Sequence, residues 1–73
     1  MNETQRIKQN IIDKTNTINV LLDFNSRSHR IDVFEWEWKY KIKKLLKNSS
    51  ETLFESYNIR EIEIYLKWYC SGL

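Results

Sequence analysis

The pattern of apolar and polar residues is most regular at residues 34–43, where five apolar side chains alternate with five charged ones. A period of two is typical of a β-strand with one apolar face, whereas the same residues on a helix place apolar side chains on two opposite sides. Three features favour the helix. Asp32 and Glu35 have the spacing of a capping box, Glu35 and Glu37 precede the lysines as the helix dipole prefers, and Asn48 is a suitable end.

The first segment, residues 2–24, has apolar residues at helical spacing. Its predicted buried stripe consists of Ile7, Ile11, Ile18, Leu21 and Leu22. Asn2 and Gln5 form a possible capping box, but the threonines and asparagines of residues 15–19 are poor helix formers, so a strand remains the alternative for residues 17–24. Residues 25–30 are predicted to form a polar loop, in which His29 is expected to be solvated.

The last third of the chain predicts two further helices. A short one covers residues 50–57, and a longer one begins after Asn58, which forms a capping-box pair with Glu61. Gly72 lies where a C-terminal cap is expected. Apolar residues also alternate along residues 62–68, so a strand remains the alternative there.

The predicted fold class depends on how many residues that favour tight turns the chain contains. The chain has no proline and a single glycine, whereas a three-stranded sheet needs residues that favour tight turns. We therefore predict an all-α fold, a small three- or four-helix bundle, in one domain of residues 1–73. The alternative is an α+β fold with a short antiparallel sheet, in the order α-β-β-α-β, with a hairpin of residues 17–43.

A helix over residues 31–47 would carry two apolar faces. The predicted core face consists of Ile31, Phe34, Trp38, Ile42 and Leu45. The opposite face and the adjacent lysine form the predicted partner-binding surface, which consists of Val33, Trp36, Tyr40, Lys43, Lys44 and Lys47. Tryptophan and tyrosine anchor many protein interfaces, and lysine stems cover their rims, so this face is predicted to contact a partner.

Size and composition narrow the possible functions. A domain of 73 residues buries only about 60% of the surface of its unfolded chain, and such small domains often need external support. One cysteine and one histidine supply neither an internal disulfide nor a zinc site within one chain. Cys70 has no nearby catalytic base, and the chain has no glycine-rich phosphate loop. We therefore expect no catalytic, cofactor-binding or metal-binding residues, and no enzymatic activity.

These observations predict a small protein-binding regulator or inhibitor, with homodimerisation through the same face as one form of that binding. The alternative is nucleic-acid binding by the cluster Lys39–Lys47 with Trp36 and Tyr40, although the net charge is only +2. No signal peptide or membrane-spanning run is evident, which predicts a cytoplasmic location without a membrane partner. Asn, Ile and Lys supply about a third of the chain and alanine is absent, a bias typical of low-GC bacteria and their phages or mobile elements.

Overall fold

The computed structural model describes residues 2–73 as two helices and a three-stranded sheet. The elements in chain order are α1 (Glu3–Phe24), β1 (Arg30–Trp36), β2 (Lys39–Leu45), β3 (Ser50–Ser56) and α2 (Ile59–Ser71). The sheet is antiparallel with the order β1-β2-β3, and its apolar face packs against both helices. The prediction of an all-α helical bundle is therefore wrong. The alternative had the correct α+β class, but its order α-β-β-α-β differs from the observed α-β-β-β-α.

The first helix follows the prediction closely. The Gln5 N–H donates to Asn2 Oδ1 at 2.8 Å and the Asn2 N–H donates to Gln5 Oε1 at 3.3 Å, which completes the capping box. At the other end Ser26 adopts a left-handed conformation, with φ of 59°, as the residue that reverses the chain. The Arg27 N–H then donates to the Leu22 carbonyl. The strand alternative for residues 17–24 is wrong.

One of the residues that weakened the helix prediction, Asn19, connects α1 to the sheet. Its side chain is buried and forms two hydrogen bonds with the backbone of Ile31: the Ile31 N–H donates to Oδ1 at 2.8 Å, and Nδ2 donates to the Ile31 carbonyl at 2.9 Å. These bonds occupy the backbone groups that Ile31 turns away from β2. Asparagine is therefore a poor helix former at this position, but its side chain caps the backbone of an edge strand.

Residues 31–47, predicted as a helix, form a β-hairpin and the connection that follows it. The alternation and the strand preference of valine, isoleucine and aromatic residues determine the structure here. The hairpin turns at Glu37 and Trp38, which have φ of 50° and 68°. Two successive left-handed residues are the conformation of a type I′ turn, which usually contains asparagine and glycine. The absence of glycine therefore did not prevent the hairpin.

The end of the chain also differs from the prediction. Residues 50–56 form a strand and not the predicted short helix, with Leu53 as an extra residue in a β-bulge opposite Ile42 and Lys43. The helix after Asn58 is confirmed, since the Arg60 N–H donates to Asn58 Oδ1 at 3.0 Å and Gly72 is its C-cap.

The core is built of aliphatic side chains from both helices and the first two strands. It consists of Ile7, Ile11, Ile18, Leu22, Ile31, Ile42, Ile62 and Leu66. Ile31 and Ile42 were predicted as core residues correctly. The prediction that Phe34 and Trp38 belong to the core is wrong, because these side chains are 42% and 84% exposed. Six of the ten aromatic residues are exposed, so the aromatic side chains contribute far less to the core than the sequence pattern indicated.

His29 and Cys70, the single histidine and the single cysteine of the chain, are both half-buried. His29 is half-buried, with Nε2 3.4 Å from the Tyr69 hydroxyl, and it is less solvated than expected. This desolvation lowers the pKa of His29, and the positive charges of Lys44 and Arg27 lower it further. Cys70 is half-buried, has a free thiol and packs against the core.

Candidate functional site

The position of the hairpin turn determines which side chains share a face of the sheet. A two-residue turn pairs Trp36 with Lys39 and Phe34 with Lys41, so residues of opposite parity lie side by side. The even-numbered aromatic residues of β1 therefore share a face with the odd-numbered lysines of β2. On the other face, Val33 pairs with Ile42 and the strands meet the helices. A regular alternation in the sequence thus becomes a mixture of rings and ammonium groups on one face.

We call the side of the sheet that faces away from the helices the open face. Its central part consists of Phe34 and Trp36 from β1, Lys39, Lys41 and Lys43 from β2, and Glu55 from β3. Trp36 is 75% exposed, and the adjacent turn residue Trp38 is 84% exposed. Tryptophan is mostly buried in folded domains, so two exposed tryptophans at one hairpin end form an unusual apolar projection.

The lysines of the open face are held by neighbouring groups. Lys39 Nζ lies 2.8 Å from Glu55 Oε1 and Lys41 Nζ lies 3.9 Å from Glu55 Oε2. The hydrogen bond from Lys39 lowers the pKa of the Glu55 carboxyl and raises the pKa of the Lys39 ammonium. Because one carboxylate serves two lysines, the open face remains positively charged beside these pairs.

Two cations of this surface also contact aromatic rings. Lys43 Nζ lies 5.4 Å from the centroid of Phe34, and Lys39 Nζ lies 5.4 Å from the centroid of Tyr57, just after β3. Both distances are within the range of cation–π contacts. Each of these ammonium groups therefore lies over an aromatic ring, whereas Trp36 and Trp38 are the most exposed large apolar side chains of the hairpin.

The structure separates the residues of the predicted partner-binding surface. Trp36 and Lys43 lie on the open face, whereas Val33 and Tyr40 lie on the opposite face and pack against the core. Lys44 pairs with the buried Ile31 and so shares the face of Val33 and Tyr40, whereas Lys47 is exposed in the connection after β2. The surface was derived from a helix, and it does not exist as one face in a hairpin.

Phe34 and Trp38 lie at the surface, although the helical interpretation of the sequence assigned both to the core of a bundle. The signal that could have placed them is the pair Glu37-Trp38 itself. A two-residue turn there would give two strands of equal length, Arg30–Trp36 and Lys39–Leu45. The lack of glycine or asparagine at these positions concealed the turn.

The hairpin turn is conformationally strained. A left-handed conformation costs an ordinary L-residue roughly 1–2 kcal/mol, and neither glutamate nor tryptophan has the short polar side chain that reduces this cost. Such strain is concentrated in proteins at sites of function. Here the strain lies at Trp38 and next to Trp36, the most exposed large apolar side chains of the hairpin.

A second apolar surface lies on α2. Ile64 and Trp68, one turn apart, are 64% and 68% exposed. Beside them Tyr65 stacks on Phe54, with ring centroids 4.9 Å apart. This surface has neither strained backbone nor a row of cations, which distinguishes it from the open face.

The described part of the chain, residues 2–73, offers no cluster of potential metal ligands. No three His, Cys, Asp or Glu side chains there lie close enough together to hold a metal ion. Within the same residues, neither helix is both long and apolar enough to cross a membrane.

The chain matches no protein-family model, no curated protein and no solved structure.

Proposed function

We propose that this chain is a small protein-binding regulator or inhibitor, which acts in the cytoplasm and without catalysis. Its contact surface is the open face, with Trp36 and Trp38 as the anchors and the lysines as a cationic rim. This proposal retains the predicted class of function but replaces most of the predicted residues. Val33 and Tyr40 are not part of the surface.

The strained turn is the observation that carries the proposal. Glu37 and Trp38 adopt left-handed conformations in a turn for which asparagine and glycine would be far more favourable. A fold under selection for stability alone would gain from those residues. Tryptophan at such a position supports a role in contact with a partner, because buried tryptophans are among the strongest anchors of protein interfaces.

The chemistry of the partner follows from the surface. Trp36 and Trp38 need an apolar cleft, whereas the rim of Lys39, Lys41 and Lys43 favours acidic groups around that cleft. The lysines contribute mainly to the rate of association and to orientation. The tryptophans contribute most of the affinity, since desolvated aromatic anchors dominate interface energetics.

The three tryptophans of the chain allow a matched test. Wild type, Trp36→Ser with Trp38→Ser, and Trp68→Ser are each immobilised and exposed to lysate of the native host, and retained proteins are quantified by mass spectrometry. We expect a partner that wild type and Trp68→Ser retain and the double variant loses. The purified partner is then titrated by calorimetry against all three. Circular dichroism should give equal helix and strand content in each, because all three side chains are exposed.

A partner lost equally in Trp68→Ser and in the double variant would contradict the open face as the contact surface. Analytical ultracentrifugation of the same variants tests whether the partner is a second copy of the chain. In that case wild type sediments as a dimer, and the double variant sediments as a monomer.

Nucleic-acid binding is the second candidate, and one observation favours it. The register places Phe34 beside Lys41 and Trp36 beside Lys39, and alternating rings and cations are the pattern of proteins that stack on single strands. The position of Glu55 is unfavourable for nucleic-acid binding, because this carboxylate already pairs with two of the lysines. Fluorescence anisotropy with a labelled oligothymidine separates the candidates. Binding that weakens steeply with salt would support nucleic-acid binding, whereas no binding at low salt would exclude it.

A further inference from the structure

A groove of about 270 Å³ lies between α1 and the edge strand β1, on the side of the sheet that faces the helices. Its walls are mainly apolar. Ile11, Ile12 and Thr15 line it from α1, and Val33 and Tyr40 line it from the sheet. Ile12 is 53% exposed at the rim although it belongs to an apolar wall. The groove is therefore an apolar opening beside the core and does not overlap the open face.

A buried hydroxyl group in this groove lacks a hydrogen-bond partner. Thr15 is 8% exposed, and its Oγ1 forms no hydrogen bond with any of the described residues. Most buried side-chain oxygen atoms in folded proteins have a partner. The oxygen itself is sealed from solvent, so the surface that the groove presents to a ligand is apolar at this position.

The backbone of β1 provides polar groups along the same groove. The bonds between Asn19 and Ile31 show that Ile31 turns its N–H and carbonyl away from β2. In an antiparallel pair this direction alternates, so Val33 and Glu35 also turn their backbone groups outward. The Val33 N–H donates to Asp32 Oδ1 at 2.8 Å. The Val33 carbonyl and both backbone groups of Glu35 remain available at the edge.

The two ends of the available edge are closed by side chains. Asn19 occupies the Ile31 end, and at the Glu35 end Lys8 Nζ lies 3.6 Å from Glu35 Oε2. Because Asn19 occupies the backbone groups of Ile31, the available edge extends from Val33 to Glu35, which corresponds to roughly 7 Å of strand. A partner segment of about three residues can pair with this edge.

We propose that this groove binds an extended peptide segment of a partner protein, which adds a strand to β1 and places one aliphatic side chain between Ile12 and Val33. Strand addition uses backbone groups for affinity and a side-chain pocket for specificity, and both are present here. The volume is below the roughly 300–1,000 Å³ of pockets for drug-sized molecules, which favours a single side chain over a small-molecule ligand.

The test begins with a phage-displayed library of random heptapeptides, selected on the immobilised protein. The enriched peptides are expected to share an aliphatic residue. One of them is then titrated into the ¹⁵N-labelled protein, and amide shifts should be largest at Thr15, Val33 and Glu35. Ile12→Lys, which places an ammonium group at the rim, should weaken binding by about tenfold or more. Val20→Lys is the matched control, because Val20 is an exposed apolar residue of the same helix outside the groove.

Two further variants make the outcome decisive. Thr15→Val keeps the shape of the side chain and removes a hydroxyl that is sealed from the groove, so it should leave the peptide affinity unchanged while the melting temperature is unchanged or higher. Trp38→Ser should leave the peptide affinity unchanged, which separates this groove from the proposed contact surface. Failure to enrich any peptide, amide shifts confined to the open face or α2, or equal affinity for wild type and Ile12→Lys would each overturn the proposal.

Discussion

The two faces of the sheet share one backbone, but their apolar side chains differ in what they do. Those on one face are buried and stabilise the fold, whereas those on the other face are largely exposed. On the face that meets the helices, Ile31 and Ile42 are almost fully buried. On the open face, Trp36 is 75% exposed beside lysines, and its turn is strained. The first face accounts for why the chain folds. The second carries large apolar side chains that the fold does not need, and this difference identifies it as the surface on which function should be sought.

Ile42→Ala should have the largest effect on stability. Ile42 is fully buried on the central strand, so its truncation leaves a cavity and should lower the free energy of unfolding by about 2–5 kcal/mol. Lys43→Ala, the next residue on the opposite face, should cost at most about 1 kcal/mol through the lost contact with Phe34. Urea denaturation followed by circular dichroism measures both. Similar losses in the two variants would show that the faces do not differ as described.

Asn19→Ala should have the next largest effect, because it leaves the edge-facing N–H and carbonyl of Ile31 without their hydrogen-bond partners. Unsatisfied groups of this kind cost about 2 kcal/mol in total when they stay buried. Asn16→Ala is the matched control on the same helix, since Asn16 is exposed and alanine has the higher helix propensity. The control should unfold at the same or a higher urea concentration than wild type. Equal stability of both variants would contradict the capping role of Asn19.

Replacement of the strained turn should stabilise the protein. Glu37→Asn with Trp38→Gly introduces the preferred residues of a type I′ turn and should raise the free energy of unfolding by about 1 kcal/mol, because relief of strain exceeds the greater flexibility of glycine in the unfolded chain. The same variant should lose the proposed partner. Trp36→Ser, which leaves the turn unchanged, should alter stability by no more than about 0.5 kcal/mol. A destabilised turn variant would show that Trp38 supports the fold.

The extent to which the sequence predicted this fold depended on local signals. The boundaries of α1 and α2 were predicted because Asn2 and Asn58 are strong N-caps that act within four residues. The hairpin was missed because the segment fits both periods and its turn, Glu37-Trp38, lacks the usual residues. Contacts across the sheet, such as those between Lys39 and Glu55, depend on a register that no local pattern specifies.

The prediction that the partner-binding residues share one face was wrong for the same reason. Trp36 and Tyr40 are four residues apart and share a helix face, but in the hairpin they point to opposite faces of the sheet. The sequence therefore indicated which residue types are unusual, namely aromatic residues among lysines. It did not indicate which of them are exposed, because that depends on where the chain turns.

The smallest expected effect concerns the acid stability of the open face. The folded state lowers the pKa of Glu55, so the ionised carboxylate stabilises the fold above its unfolded-state pKa, and this contribution is lost as the pH falls through the folded-state value. Glu55→Gln should therefore make the melting temperature less dependent on pH in the acidic range, and added salt should reduce the difference because the group is exposed. Glu51→Gln, at an exposed site on the same strand, is the control. Equal slopes in the two variants would show that Glu55 adds nothing to stability, and its role would then be limited to holding Lys39 and Lys41 beside the rings of the open face.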